Sequence, residues 1–440
     1  MANEAIFTMD TAAIKFGAGA TREVGDDVRD LGLRRVMLFT DPVVAQTPAY
    51  ATAMASLDAA GIDAVPYVEV RVEPTDSSFY AAIAAANDAR PDGFVAVGGG
   101  SAIDTAKAAN LYSTWPADLL TYVNAPIGEG LPVPGPLKPL IAIPTTAGTG
   151  SETTGVAIFD LVALSVTSGP GSDDSVVELH TKTGIAHRAL RPTLGIVDPL
   201  NTLSMPAMVT AASALDVLSH AVESFTALPY HDRLAPESPK MRPAYQGANP
   251  ISDIWSSRAM EMVAHYLPIV LERPDDVDAR GQMMLAATYA GIGFGNAGVH
   301  LPHGMSYAVA GMVRDWRPAG YPDDHPIVPH GISVILNAPA VFRFTASANP
   351  LRHLEAARLL GAEVAETDPD EAGEVLANRL IEIMRMTGMP NGLSEVGYSE
   401  SDLDQLVQGT VPQHRVTKLS PRPASAEDLR AIFHDALQYW

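Results

Sequence analysis

The sequence contains no cysteine. That excludes disulfide bridges, thiolate-ligated zinc, iron–sulfur clusters and a thiol nucleophile. Any metal must therefore be held by nitrogen and oxygen. Positive charge is also scarce: Lys and Arg number 29 against 51 Asp and Glu, a formal net charge of -22. Such a surface repels phosphate, which argues against nucleic acid or an anionic membrane as a partner. No uninterrupted apolar run of about 18 residues occurs, so no membrane span is expected. The opening stretch Met1–Asp10 holds two acids and no basic cluster. It reads as neither a secretory signal nor a transit peptide, and the cytoplasm is the expected compartment.

What is present suits a soluble globular chain. Its 440 residues are enough for two domains with a large core. Up to about residue 200, short apolar runs alternate with helical patterns. Val36–Asp41, Val65–Arg71, Gly93–Val97 and Leu140–Ile143 read as strands. Ala51–Ala60, Ser78–Arg90 and Ala102–Leu111 read as helices. That alternation points to an α/β domain, a parallel sheet flanked by helices. Beyond Pro199 the strand signals fade, and 204–440 reads as an all-α domain. The boundary is placed near residue 203. Residues 168–175 look like an exposed, mobile loop. Pro229–Pro250 is a polar, proline-rich insertion, either disordered or a loop on the substrate side.

Two loops follow strands. Gly98-Gly-Gly-Ser101 lies between a strand and a helix, where a dinucleotide pyrophosphate binds: glycines admit the backbone, and the helix N-terminus offers free N–H groups. Its spacing is not G-x-G-x-x-G, and a glycine triplet alone is also a tight turn. Pro144-Thr-Thr-Ala-Gly-Thr-Gly-Ser-Glu152 brings the hydroxyls of Thr145, Thr146 and Thr149 to the same sheet end. Asp41, at the end of an early strand, is placed to accept ribose hydroxyls. A carboxylate there repels a 2′-phosphate, which favours NAD over NADP.

The helical half carries the second constellation. In Ala214–Glu223, Asp216 and His220 are one turn apart on one face of a helix that Ser204 is placed to cap. Apolar residues surround Asp216, and a buried carboxylate needs a partner. Two more histidines lie between Pro and Gly, in Pro302-His303-Gly304 and Pro329-His330-Gly331. Asp216, His220, His303 and His330 make a three-imidazole, one-carboxylate set suited to Fe²⁺ or Zn²⁺ with an open position. His300 and His325 are set aside. A metal beside a nicotinamide implies alcohol–carbonyl hydride transfer.

These residues resemble the iron-containing (group III) alcohol dehydrogenase superfamily, with its N-terminal dinucleotide-binding domain and C-terminal helical metal domain. The glycine turn, the Thr-rich loop, Asp-x-x-x-His and both His-Gly segments match in order. Within the superfamily the chain is most similar to the hydroxyacid–oxoacid transhydrogenase branch, through Arg71–Ser78, Arg242–Trp255, Gly291–His300 and Val411–Leu419. The resemblance implies a divalent metal, Fe²⁺ ahead of Zn²⁺, on Asp216, His220, His303 and His330. It implies NAD on Asp41, Gly98, Gly99, Gly100, Ser101, Thr145, Thr146 and Thr149, with Lys182 as a weaker match. Residues 161–178 form an extra loop that departs from the pattern.

At position 307 many relatives in the superfamily have histidine; here it is Tyr307, expected to shape the pocket or relay a proton. The implied reaction oxidises 4-hydroxybutyrate to succinate semialdehyde and reduces 2-oxoglutarate to D-2-hydroxyglutarate on retained NAD(H). Partners are then small hydroxy and oxo acids, and a homo-oligomer is the expected assembly. Arg242 and Arg343 are candidates for the substrate carboxylates. Two other readings stay open: an alcohol dehydrogenase with exchangeable NAD acting on primary alcohols, and a non-catalytic NAD- or metal-binding protein.

Overall fold

The computed structural model describes residues 3–167, 175–321 and 325–440. Its first half is built on eight strands: β1 (Ala13–Phe16), β2 (Arg35–Phe39), β3 (Asp63–Tyr67), β4 (Gly93–Gly98), β5 (Leu140–Pro144), β6 (Val156–Thr167), β7 (Ser175–Ala186) and β8 (Leu194–Val197). Six of them form one sheet in the order β1-β8-β5-β4-β2-β3, with every pairing parallel. The central strands are apolar on both faces because helices cover both faces. Val36, Leu38, Val95 and Val97 pack with α1 (Val24–Asp30) and α2 (Pro48–Ala59). The alternate residues Met37, Phe39, Phe94 and Ala96 pack with α3 (Asp76–Ala89) and α4 (Gly100–Thr114). Pro66 is tolerated because β3 is an edge strand.

The strand order decides where a ligand can sit. From β2 the chain moves outward to β3, then returns to lay β4 on the other side of β2. Crossovers therefore leave in opposite directions from β2 and β4, opening a crevice at their C-terminal ends. Asp41 follows β2, and the glycine turn follows β4.

The sequence reading missed β1 and β8, each four residues long and too short for a periodic signal. It also read 161–178 as an inserted loop. The described part is instead an antiparallel hairpin, with β6 paired to β7 from Val156↔Ala186 to Thr167↔Ser175. Ala157, Phe159 and Ile185 are buried beside Phe79, so an alternating face decides the structure here. The expected mobile loop at 168–175 falls largely on residues 168–174, outside the described residues.

After a single turn, α5 (Leu119–Tyr122), and after β8, the described chain is helical. It comprises α6 (Ala207–Thr226), α7 (Pro250–Glu272), α8 (Val277–Ala297), α9 (Leu301–Gly311), α10 (His330–Ile335), α11 (Ala338–Thr345), α12 (Pro350–Leu359), α13 (Ala372–Met386), α14 (Leu403–Thr410), α15 (His414–Thr417) and α16 (Ala426–Asp435). Ser204 does not cap α6; Pro206 is the capping residue, and no side chain accepts there. The run His330–Ala348 has the length and hydropathy of a membrane span, but 78% of it is buried inside the fold. The insertion 229–250 is ordered by the N-terminal segment: Thr8 N donates to Gln246 Oε1 at 2.9 Å, and Arg242 pairs with Glu4 at 3.1 Å.

Candidate metal and cofactor site

Helix α6 is buried along almost its whole length, so its polar face opens into the molecule rather than to water. One helical turn places Asp216 and His220 side by side. His303 and His330 arrive from the first turns of α9 and α10. The glycine after each of them permits close packing. A Cβ on Gly304 would lie 2.7 Å from Thr417 Cγ2, and one on Gly331 would collide with the Ala212 carbonyl of α6.

The result is a compact polar centre. Asp216 Oδ1 is 3.7 Å from His220 Nε2, 3.7 Å from His303 Nε2 and 3.6 Å from His330 Nε2. Ligands about 2.1 Å from a tetrahedral ion stand about 3.5 Å from one another; the four ligand atoms here all lie within 4.8 Å of one another, close enough to draw in around a single ion. Asp216 Oδ1 and His303 Nε2 are also buried without a hydrogen-bond partner among the described residues. Orphaned buried polar atoms call for a partner, and a cation between them would supply it. Burial opposes charge on Asp216, yet the surrounding imidazoles outweigh it and hold its carboxyl well below the usual range. Burial drives His220 down to about 3. The same burial acts on His303, but Glu223 and Asp216 overcome it and raise it to about 9.

Glu223 had no role in the sequence reading, although it lies two turns beyond Asp216 on the same helix. It is fully buried, and its Oε1 is 2.5 Å from His303 Nδ1. Its Oε2 accepts from the His300 backbone at 2.7 Å. A proton held on Nδ1 leaves the Nε2 lone pair for a metal. Glu223→Gln is therefore expected to weaken metal affinity by about 10- to 100-fold with the fold intact, measured by competition against a chelator. Unchanged affinity would remove Glu223 from this role. His300 bonds Thr226 Oγ1 through Nε2 at 3.1 Å, and His325 lines a different cavity, so both lie outside the four-residue cluster.

The cofactor candidates meet at the crevice. Helix α4 starts after Gly99 with no side-chain cap, so its first N–H groups are free for a ligand. The Thr-rich loop lies directly against this turn. Thr145 N donates to Gly98 O at 3.0 Å, a Cβ on Gly99 would sit 3.4 Å from Thr146, and one on Gly100 would sit 2.8 Å from Thr149. Ser101 Oγ accepts from Glu73 N at 3.2 Å. Asp41 spends Oδ1 on the Val43 and Val44 amides, 2.9 Å each, and turns Oδ2 toward Gly98. Lys182 is buried between Glu73 and Asp160; burial opposes its charge, but the two carboxylates prevail and raise its pKa.

The loop is tied down from below. Buried Lys107 donates to Ser151 Oγ at 2.6 Å and to the Val156 carbonyl at 2.7 Å, while Ser151 Oγ donates to Asp104 at 2.6 Å. One cavity of about 120 Å³ joins the two halves, lined by Ser101, Thr149 and Lys182 on one side and His303, His330 and Tyr307 on the other. Of the sequence-derived residues, Gly100, Ser101, Thr149, Lys182, His220, His303, Tyr307 and His330 line this cavity, while Asp41, Gly98, Gly99, Thr145, Thr146 and Asp216 stand outside its lining.

The arginine candidates are paired elsewhere. Arg242 is neutralised by Glu4, and Arg343 by Glu374 at 3.0 Å; neither lines the cavity. The arginine that does line it is Arg415, whose Nη2 donates to the Tyr307 hydroxyl at 2.8 Å. Arg415 lies in Val411–Leu419, one of the segments that carry the resemblance, and no spacing within it marks the arginine as a site residue.

Residues 11–199 match the family described as iron-containing alcohol dehydrogenase, and residues 244–437 match its C-terminal part. The chain is 54% identical to the mitochondrial hydroxyacid-oxoacid transhydrogenase of Bos taurus, over 99% of this chain and 90% of that protein. It is 52% identical to that of Homo sapiens, with the same coverage. Among solved structures it is similar to a 1,3-propanediol oxidoreductase, with TM-score 0.82 and 25% identity over 98% of this chain and 100% of that one. It shares the fold of sulfoacetaldehyde reductase from Bifidobacterium kashiwanohense in complex with NAD+, with TM-score 0.75 and 24% identity over 99% of each chain. The expected cytoplasmic location is overturned, since these transhydrogenases are named as mitochondrial. An address resides in short removable segments, so the composition of a folded body says nothing about it.

Proposed function

The chain belongs to the iron-containing alcohol dehydrogenase family, and from that premise we propose that it transfers hydride between a hydroxy acid and an oxo acid through bound NAD(H). The pair is 4-hydroxybutyrate with 2-oxoglutarate, giving succinate semialdehyde and D-2-hydroxyglutarate. One substrate loses a hydride and a proton and the other gains both, so no cofactor is consumed. In this reading residues 1–203 bind NAD and residues 204–440 hold the metal. The observation that carries it is a cluster of one carboxylate and three imidazoles whose histidines line the same cavity as an uncapped, glycine-rich helix N-terminus.

When bound, a divalent ion supplies Lewis acidity at an alcohol or carbonyl oxygen, and the nicotinamide carries the hydride. The chain does the rest. Asp216, His220, His303 and His330 would hold the ion, with Glu223 fixing the His303 tautomer. The amides opening α4, with Thr145, Thr146 and Thr149, would hold pyrophosphate and ribose oxygens, and Asp41 disfavours a 2′-phosphate. Tyr307 Oη accepts from Arg415, which leaves its own proton for a second partner in the cavity. Burial of Asp216, His220 and His303 limits the access of bulk water to the ion.

The test mixes 4-hydroxybutyrate and 2-oxoglutarate with metal-loaded protein purified without oxygen, with and without added NAD. Formation of D-2-hydroxyglutarate without added NAD is expected. Turnover only with added NAD identifies an alcohol dehydrogenase with exchangeable cofactor. No turnover under either condition rejects an enzyme of this kind.

A further inference from the structure

Behind Tyr245 lies a second chamber of about 610 Å³, within the size range of small-molecule sites. Arg233, Arg415 and Lys418 line it, against one carboxylate, Asp232. In a chain of net charge -22 this is an unusual concentration of positive charge. Tyr245 and Arg415 line both this chamber and the metal cavity, so the two spaces share a wall.

Each guanidinium has one arm that the fold leaves unbonded. Nη1 of Arg233 and Nη1 of Arg415 are both buried with no hydrogen-bond partner among the described residues. An orphaned buried N–H donor is uncommon and calls for an explanation. The contrast with Arg242 and Arg343 is direct, since each has its carboxylate. Arg415 is also held in place: Nη2 is fixed by Tyr307, and the group lies over the Tyr245 ring at 5.1 Å. A planar fork, pre-oriented with one arm unused, is suited to a carboxylate.

We propose that this chamber receives dicarboxylate substrates and that Arg415 grips the carboxylate remote from the reacting carbon. Arg233 and Lys418 draw the anion in against the repulsion of the surrounding acidic surface. Arg415 then holds one end while the other end reaches the metal cavity. It acts as a specificity residue. The proposal rests on the hydroxy acid–oxo acid reading above, and deepens it by naming what recognises the acid.

The probe is glutarate, a five-carbon dicarboxylate with no reactive carbonyl, titrated calorimetrically into the metal-loaded full chain. Arg415→Gln is expected to weaken glutarate binding about 50-fold, and Arg233→Gln about 5-fold. In turnover, the ratio of kcat/KM for 2-oxoglutarate to that for butanal should fall by similar factors. If Arg415 only braces Tyr307, both substrates suffer alike and the ratio stays constant, which overturns the proposal. Should Arg415→Gln fail to fold, Arg233→Gln decides alone, and unchanged glutarate affinity there rejects the chamber. Wild-type protein that binds glutarate but transfers no hydride to 2-oxoglutarate rejects the reaction and leaves the chamber standing.

Discussion

Asp216→Ala lowers turnover by at least about 10³-fold and yields protein that no longer retains a stoichiometric divalent ion. The reason is geometric. Asp216 Oδ1 lies within 3.7 Å of Nε2 on all three histidines. It is also the only anion among the four, so its loss leaves neutral imidazoles to balance a dication in a buried space. Glu223 cannot replace it, because it is committed to His303 Nδ1 and the His300 amide. Metal analysis and single-turnover absorbance of the nicotinamide read the two effects separately. A variant that keeps both its metal and a near wild-type rate would falsify the site.

The second large effect concerns a residue that touches no ligand. Gly291 of α8 lies against Gly150, which has φ +60 and whose own Cβ would be 2.7 Å from Gly291 Cα. A Cβ on Gly291 would collide with Thr153 Oγ1 and lie 3.0 Å from Gly150 Cα. The loop that carries Thr145, Thr146 and Thr149 therefore rests on α8 through two side-chain-free surfaces. Gly291→Val forces the loop away, at an overpacking cost of about 1–3 kcal/mol. Because a displacement near 1 Å can cost about 10²-fold in rate, kcat/KM should fall by about that factor or more. Metal occupancy should hold, since all four candidate ligands are carried by α6, α9 and α10 and none by α8 or the loop. NAD(H) binding followed by fluorescence is the decisive measurement. Wild-type affinity in the variant means that the loop is not seated this way.

Much of this molecule was readable from local pattern. The runs 36–41, 93–97 and 140–143 lie on strands because apolar residues on both faces of a short run mark a covered parallel sheet. Asp216 and His220 could be paired on paper because four residues make one helical turn. The Pro-His-Gly segments could be placed at helix starts because proline is favoured in the first turn. Where the reading failed, the deciding contact came from far away in sequence. Residues 156–167 and 175–186 pair as antiparallel strands because Phe159 and Ile185 pack with Phe79. Ser204 was the better cap by residue type, yet α6 begins at Ala207.

The sequence alone determined the chemistry available: no thiol, a nitrogen and oxygen ligand set, two loops able to accept phosphate and hydroxyl groups, and a family resemblance spread along the chain. Those properties depend on residue type and on spacings within a turn or a strand, which short-range geometry dictates. Tertiary structure alone decided which charges are free to act. Arg242 and Arg343 were the plausible anchors until Glu4 and Glu374, 238 and 31 residues away, proved to neutralise them. Arg415 lines a cavity and keeps one nitrogen without a hydrogen-bond partner among the described residues. A charge is available only when no opposite charge packs against it, and that depends on which distant segments the fold brings together.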